Sequence, residues 1–284
     1  MVVTTVATTA ATTAPAPAPG PPFPVAATTM ALVDPSRPTV SRGVTVSPSR
    51  ALTTTVWSPT AAGRWPLLVF AAGFRVGPQD YSHLGRLWAA AGYVVAAPSF
   101  PLADAAVAGP ALDEGDLDNE PADVRFVISA ITAPSSPVAG RVDAGRIGVA
   151  GHSDGAEVAL AVAQQPATAI RAVIALAGQP VTAGLGHNPP LLVVQGDADT
   201  VNPPERGQAV FDRATGPHFL LTLSGGDHST PFAAGSRWQA VVDDVTVTFL
   251  HRYLAGQPAT DDRLLATGNR PGLALMVSAG TVSR

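Results

Sequence analysis

Apolar residues in the middle of the chain fall into short continuous runs that alternate with longer amphipathic segments. The short runs predict strands, because continuous apolar stretches of this length are typical of sheets that are buried on both faces. The amphipathic segments between them predict helices. This alternation indicates an α/β fold with a mostly parallel sheet and helices on both faces. The predicted strands cover residues 66–71, 93–97, 146–150, 172–177, 191–195 and 218–223, and the predicted helices cover residues 80–91, 121–131, 203–214 and 236–254.

The amino-terminal part of the chain has a different pattern. Residues 39–46 and 52–57 alternate apolar and polar side chains across a Ser/Pro turn, which predicts a leading antiparallel hairpin. Residues 1–29 are rich in Ala, Thr and Pro, and we expect them to form a disordered arm. The expected catalytic domain then spans residues 30–256. Residues 257–284 form a carboxyl-terminal extension that packs on the domain or trails from it.

A Gly-x-Ser-x-Gly motif, Gly151-His152-Ser153-Asp154-Gly155, lies between the strand 146–150 and a helix-forming run at 156–163. A serine at such a strand-to-helix corner lies on a sharp turn, with its hydroxyl above the edge of the sheet. Gly151 and Gly155 are expected to support the turn, because a Cβ at either position would collide with nearby backbone. We expect His152 to support the turn rather than to transfer protons.

A serine hydroxyl needs a base, and the base needs a carboxylate that fixes its tautomer. In this topology the acid and then the histidine follow the serine along the chain. Asp197 and Asp199 both follow the strand 191–195, and we favour Asp199, with Asp197 shaping the loop. His228 follows the strand 218–223 in a glycine-rich turn and is the predicted base. His83, His187, His218 and His251 do not follow a strand in the required order.

The oxyanion of a tetrahedral intermediate needs backbone N–H donors. The Asp154 N–H at the start of the helix is the first candidate, and the helix dipole also favours negative charge there. The second is the Phe74 N–H, in the loop Ala72-Gly73-Phe74 after the strand 66–71. The Asp154 carboxylate would oppose an oxyanion if it turned inward, so we expect it to point outward.

These motifs resemble the α/β-hydrolase superfamily over residues 39–256. The nearest resemblance is to its lidless serine esterase branch, which includes platelet-activating-factor acetylhydrolase, chlorophyllase, dienelactone hydrolase-like proteins and bacterial polyester hydrolases. The resemblance implies a carboxylic ester hydrolase that forms an acyl-enzyme with a Ser-Asp-His triad. The motifs that carry it are residues 67–70 with Gly73-Phe74, residues 91–98, residues 146–153, residues 195–199 and residues 226–228.

Departures from these relatives narrow the expected activity. Polyester hydrolases commonly have methionine after the serine and tryptophan after the next strand, where this chain has Asp154 and the run at 177–180. The sequence therefore does not favour plastic degradation. Dienelactone hydrolases use a cysteine, and this chain contains none. Only about a dozen residues separate the strands 172–177 and 191–195, which leaves no room for a cap, so we expect an open pocket for small-molecule or surface-presented esters. A non-catalytic binding protein and an amidase or peptidase of the same fold remain alternatives.

Composition limits the partners. The net charge of −4 provides no basic surface for nucleic acid, and no apolar run approaches the length of about 20 residues that spans a bilayer. We expect a monomer that needs no cofactor or metal. The acidic run at 113–120 could bind calcium, but a solvated loop is the favoured interpretation.

No basic residue precedes Arg37, unlike the start of a secretory signal. The sequence therefore leaves the location undetermined, with the cytoplasm as the default and secretion as the alternative if the true start lies upstream.

Overall fold

The fold is built on a nine-stranded sheet. The computed structural model describes residues 22–165, 169–181, 189–258 and 260–280. The strands are β1 (Val25–Asp34), β2 (Thr39–Ser41), β3 (Val44–Ser47), β4 (Arg50–Pro59), β5 (Trp65–Ala71), β6 (Val94–Pro98), β7 (Val142–His152), β8 (Ile170–Leu176), β9 (Leu191–Gly196), β10 (His218–Leu223) and β11 (Ala274–Ala279). The order in the large sheet is β1-β4-β6-β5-β7-β8-β9-β10-β11, and β2 and β3 form a separate two-stranded sheet.

The centre of the large sheet is parallel, and its margins are antiparallel. Strands β6, β5, β7, β8, β9 and β10 pair in parallel along this order. Strands β1, β4 and β11 add antiparallel pairings at the two margins. The mostly parallel sheet predicted from the apolar runs is therefore confirmed.

Helices cover both faces of the sheet, as predicted. They are α1 (Ser82–Ala90), α2 (Ala105–Ala108), α3 (Glu120–Thr132), α4 (Asp154–Ala163), α5 (Pro204–Arg213), α6 (Gln239–Tyr253) and α7 (Asp261–Gly268). Trp88 of α1 and Phe249 of α6 are fully buried in the core on one face. Val124 of α3, Val158 of α4 and Val210 of α5 are buried on the other. No helix in the described ranges is long and apolar enough to cross a membrane.

The predicted leading antiparallel hairpin is present, but β2 and β3 form it, and residues 39–46 do not pair with residues 52–57. The strand β4 pairs with β1 over ten residue pairs, from Val25↔Pro59 to Asp34↔Arg50. Residues 39–47 fold back on themselves as β2 and β3, through a turn where Arg42 and Gly43 have φ of 48° and 79°. The expected arm of residues 1–29 is also too long, since β1 already begins at Val25. Residues 1–21 lie outside the described residues.

The carboxyl-terminal extension is packed on the domain. The helix α7 contacts α6, and Leu264 is fully buried between them and the sheet. Strand β11 then pairs with β10 over six residue pairs, from His218↔Ala279 to Leu223↔Ala274. This extension therefore supports the strand that leads to His228.

Candidate active site

The motif serine lies on a strained turn between β7 and α4. Ser153 has φ of 55°, in the left-handed region that a residue with a side chain rarely adopts. The turn is possible because its flanking residues are glycines. A Cβ on Gly151 would lie 1.9 Å from the Gly155 carbonyl oxygen, and one on Gly155 would lie 2.1 Å from the Ala71 carbonyl oxygen. The main chain thus holds the serine hydroxyl above the end of the sheet.

The histidine and the acid come from the ends of two other parallel strands. His228 Nε2 lies 2.9 Å from Ser153 Oγ, and His228 Nδ1 lies 2.8 Å from Asp199 Oδ2. The imidazole is partly exposed, at 15%, whereas the Asp199 carboxylate is completely buried. Parallel strands place their carboxyl ends at one edge of a sheet, which explains why residues distant in sequence meet here. The structure thus brings together the three predicted side chains.

The end of strand β9 and the loop that carries Asp199 fix the position of its carboxylate. Its Oδ1 accepts hydrogen bonds from the N–H groups of Val201 and Asn202, each at 2.9 Å, and its Oδ2 accepts one from Gln195 Nε2 at 3.1 Å. The other candidate, Asp197, is exposed and accepts a hydrogen bond from the Gly225 N–H at 2.6 Å. Asp199 therefore faces the histidine, and Asp197 joins this loop to the one that carries Gly225.

The two predicted oxyanion amides border the serine. The loop that carries Phe74 approaches closely, since a Cβ on Gly73 would lie 3.1 Å from Ser153 Cβ. Asp154 is the first residue of α4, where N–H groups are not used within the helix. Among the main-chain hydrogen bonds of the described residues, neither the Phe74 nor the Asp154 amide acts as a donor. The Asp154 N–H does hydrogen-bond with its own carboxylate, which lowers the pKa of that group against the larger effect of burial.

A buried histidine lies behind the catalytic one. His152 is 4% exposed, and its Nδ1 lies 2.7 Å from the Tyr81 hydroxyl oxygen. Its Nε2 lies 2.8 Å from the main-chain oxygen of His228. Burial lowers the pKa of His152 to about 4, so this ring is neutral at neutral pH. It therefore does not contribute a positive charge to the site.

Two half-buried carboxyl groups occupy the first turn of α4. Burial raises the pKa of Asp154, and the charge of Glu114 raises it further. Burial also raises the pKa of Glu157 to about 7, against a hydrogen bond from Gln179 Nε2 at 2.6 Å that lowers it. Both groups are less acidic than an exposed carboxyl group. The first turn of α4 therefore carries two carboxyl groups that hold their protons to a higher pH than exposed carboxyl groups do.

The acidic run at 113–120 is solvated only in part, since Glu114 and Asp118 are exposed but Asp116 and Glu120 are buried. Asp116 is 2% exposed, and both of its carboxylate oxygens accept hydrogen bonds from the Arg50 guanidinium, at 2.6 and 3.0 Å. Arg50 also binds both oxygens of Asp123. Glu120 is equally buried, and burial raises its pKa well above the usual range. Charge pairing at Arg50 thus anchors the loop. Within the described residues, no group of acidic or histidine side chains is arranged to hold a metal ion.

The other described histidines lie away from this site. His83 pairs with Asp243, His218 contacts the Gly216 carbonyl, and His251 contacts the Ala91 carbonyl. His187 lies outside the described residues.

Three residues that contact the site were missed by the sequence analysis. Tyr81 precedes α1, and no local motif connects it with His152, 71 residues away. Gln195 ends an apolar strand, and a polar residue at a buried strand position could have indicated a partner. Asn202 donates to the Ala177 carbonyl at 2.7 Å and so joins the acid loop to the end of β8.

Comparison with known proteins is consistent with this geometry. The family model described as PETase, PET hydrolase-like, matches residues 12–270. A comparison with curated proteins finds no relative that matches. The family match includes every strand of the sheet except β11, together with the serine, aspartate and histidine described above. The chain therefore belongs to the PET hydrolase-like family, a group of ester hydrolases within the α/β-hydrolase superfamily.

Proposed function

We propose that the protein is a serine carboxylic ester hydrolase that acts through an acyl-enzyme. The observation that supports this most strongly is the continuous hydrogen-bonded series from Ser153 Oγ through the His228 ring to the buried Asp199 carboxylate. Membership of an ester hydrolase family supports the same conclusion independently. Ser153, His228 or Asp199 alone would not indicate a hydrolase; their mutual hydrogen bonds do.

In this mechanism Ser153 Oγ attacks the ester carbonyl carbon while His228 Nε2 accepts the hydroxyl proton. Asp199 holds the proton on Nδ1 and stabilises the imidazolium that forms. The Phe74 and Asp154 amides donate to the oxyanion of the tetrahedral intermediate. When the intermediate collapses, the alcohol leaves with the proton from His228. Water then attacks the acyl-enzyme by the same sequence of steps and releases the acid.

We infer that the substrates are short or surface-presented esters. Between β8 and β9 the chain has only 14 residues, 177–190, too few for a helical cap domain. The first turn of α4, directly after Ser153, carries the half-buried carboxyl groups of Asp154 and Glu157, and polar groups there favour a long acyl chain or an aromatic polymer unit less than apolar groups would. An amidase of the same fold would use the same series of residues, so the preferred bond requires measurement.

The test compares the wild type with Ser153→Ala. A series of p-nitrophenyl esters from acetate to dodecanoate measures turnover against acyl length, and fluorophosphonate labelling identifies the nucleophile. We expect turnover highest for short esters, labelling at Ser153 alone, and loss of both in the alanine variant with an unchanged circular dichroism spectrum. Turnover of the variant near that of the wild type would refute the assignment. A wild type that neither labels nor turns over any ester would indicate a binding protein, and a parallel p-nitroanilide series would show an amidase.

A further inference from the structure

His152 lies at the junction of the three loops that carry the proposed chemistry. It directly precedes Ser153, its Nε2 meets the main chain of His228, and its Nδ1 meets Tyr81. A Cβ on Gly73, in the loop before Phe74, would lie 3.5 Å from His152 Nδ1. The ring also contacts the rings of His228 and Phe232, with centroids 4.9 and 5.1 Å apart. The side chain therefore touches the nucleophile turn, the histidine loop and the oxyanion loop.

The hydrogen-bond partners determine the tautomer of this ring. A carbonyl oxygen can only accept, so the Nε2 that faces the His228 oxygen must carry a proton and donate it. A neutral imidazole carries one proton, so Nδ1 is an acceptor and the Tyr81 hydroxyl donates to it. Tyr81 is itself 8% exposed and packs on Phe70, with ring centroids 4.7 Å apart. The core of the protein thus orients the Tyr81 hydroxyl, and the hydroxyl fixes the tautomer of His152.

We propose that His152 is a positioning residue that holds the main chain of His228 so that its imidazole stays in line between Asp199 and Ser153. This inference rests on the proposed ester hydrolase function. The glycines at 225 and 226 leave the histidine loop few side chains of its own, and Gly225 has φ of 69°. The hydrogen bond from His152 Nε2–H therefore fixes the main chain of His228, the residue whose ring transfers the proton. Neither the acyl nor the alcohol group of the substrate takes part in this hydrogen bond. Its loss should therefore slow the chemical step rather than weaken substrate binding.

The experiment uses three variants of the full chain and one control. His152→Phe removes both hydrogen bonds but keeps an aromatic ring. His152→Gln keeps an N–H donor near the position of Nε2 and is the conservative rescue. Tyr81→Phe removes only the hydroxyl that fixes the tautomer, and it is the variant most certain to fold. His251→Phe is the matched control, because His251 also contacts a main-chain carbonyl, that of Ala91 at 3.2 Å, but belongs to α6 and stacks on Tyr93, outside the loops that carry the proposed chemistry.

The expected result is a fall in kcat with little change in KM for a short p-nitrophenyl ester. A displacement of about 1 Å in a reacting group can cost about 100-fold, so we expect a loss of roughly 10- to 100-fold for His152→Phe. His152→Gln should recover most of it, Tyr81→Phe should lose a few-fold, and the control should retain wild-type kcat per folded molecule. Equal rates for His152→Phe and the control, a loss expressed in KM, or a glutamine variant as slow as the phenylalanine variant would each overturn the proposal.

A second measurement does not depend on activity. In ¹⁵N-histidine NMR spectra of the wild type at pH 7, His152 should show a protonated Nε2 and an unprotonated Nδ1, and Tyr81→Phe should weaken this preference. A ring with its proton on Nδ1 would overturn the positioning proposal even if the enzyme hydrolyses esters. The expected tautomer in a protein that turns over no ester would instead refute the proposed function and leave the contact intact.

Discussion

Replacement of Asp199 by asparagine tests the assignment of the acid most directly. Two main-chain N–H groups, of Val201 and Asn202, both point at Asp199 Oδ1. An asparagine must therefore place its oxygen there, because the opposite orientation leaves both donors unsatisfied, and the buried Asn202 N–H alone would cost about 1–3 kcal/mol. The side-chain NH₂ then takes the position of Oδ2, opposite His228 Nδ1. The variant is thus forced to present a donor to the histidine.

This donor reverses the tautomer of the histidine. With its Nδ1 accepting, the neutral ring carries its proton on Nε2, which faces Ser153 Oγ at 2.9 Å. The ring can then no longer accept the serine proton, and kcat should fall by about 10⁴ while KM changes little. The same NH₂ also faces Gln195 Nε2, a second donor, so a modest loss of stability should accompany the kinetic effect.

The assay is initial-rate hydrolysis of p-nitrophenyl butyrate at saturating concentration, with thermal unfolding of each variant as the check on folding. Asp197→Asn is the matched control, because Asp197 is an exposed carboxylate whose contact is the Gly225 N–H. We expect that variant to retain at least about a third of wild-type kcat, since exposed polar contacts contribute little. If Asp197→Asn is the slower variant, the acid is Asp197 and the geometric argument fails.

Three further predictions concern stability. Arg50→Met should lower the free energy of unfolding by about 3–5 kcal/mol, because it leaves Asp116 buried without its guanidinium partner and Asp123 with Arg37 alone, whereas Arg146→Met, at an exposed pair, should cost under about 1 kcal/mol in urea titrations. Equal urea midpoints for the Arg50→Met and Arg146→Met variants would contradict this prediction. Burial raises the pKa of Glu157 in the folded protein from the ordinary 4.5 to about 7, so its contribution to stability is fully present below pH 4.5 and is lost as the pH rises through 7. Glu157→Gln should therefore raise the Tm at pH 8 and not at pH 4.5, and a pH-independent change would show that its charge is irrelevant. Gly155→Ala should yield no folded protein, since its Cβ would lie 2.1 Å from the Ala71 oxygen, and soluble active enzyme would show that the turn can relax.

The parallel core and the three predicted side chains could be derived from the sequence because both depend on local patterns. A buried parallel strand is apolar along its whole length, and β10 begins and ends at the predicted residues. The Gly-x-Ser-x-Gly motif is readable in one short stretch of sequence, although the backbone that a Cβ on Gly155 would meet belongs to Ala71. The order serine, aspartate, histidine then follows from strand ends that share one edge of the sheet.

Long-range pairing could not be derived in the same way. The Ala- and Thr-rich β1 resembles the arm before it, and only the exposed edge of β4 makes it a strand. The acidic loop looked solvated because its partner, Arg50, lies more than 60 residues away in sequence. The contact between Tyr81 and His152 has no local motif at all, since it depends on how α1 and β7 pack.

The position of β1 has a consequence for behaviour at high concentration. It is a ten-residue strand at one margin of the sheet, most of its side chains are exposed, and it carries no charge before Asp34. Natural proteins usually protect such margins with lysine, proline or a bulge, because an open row of N–H and C=O groups can pair with another molecule. If crowded molecules of this protein associate, the uncharged stretch of β1 offers their backbones a place to pair that lies at the margin of the sheet and not at the Ser153 site.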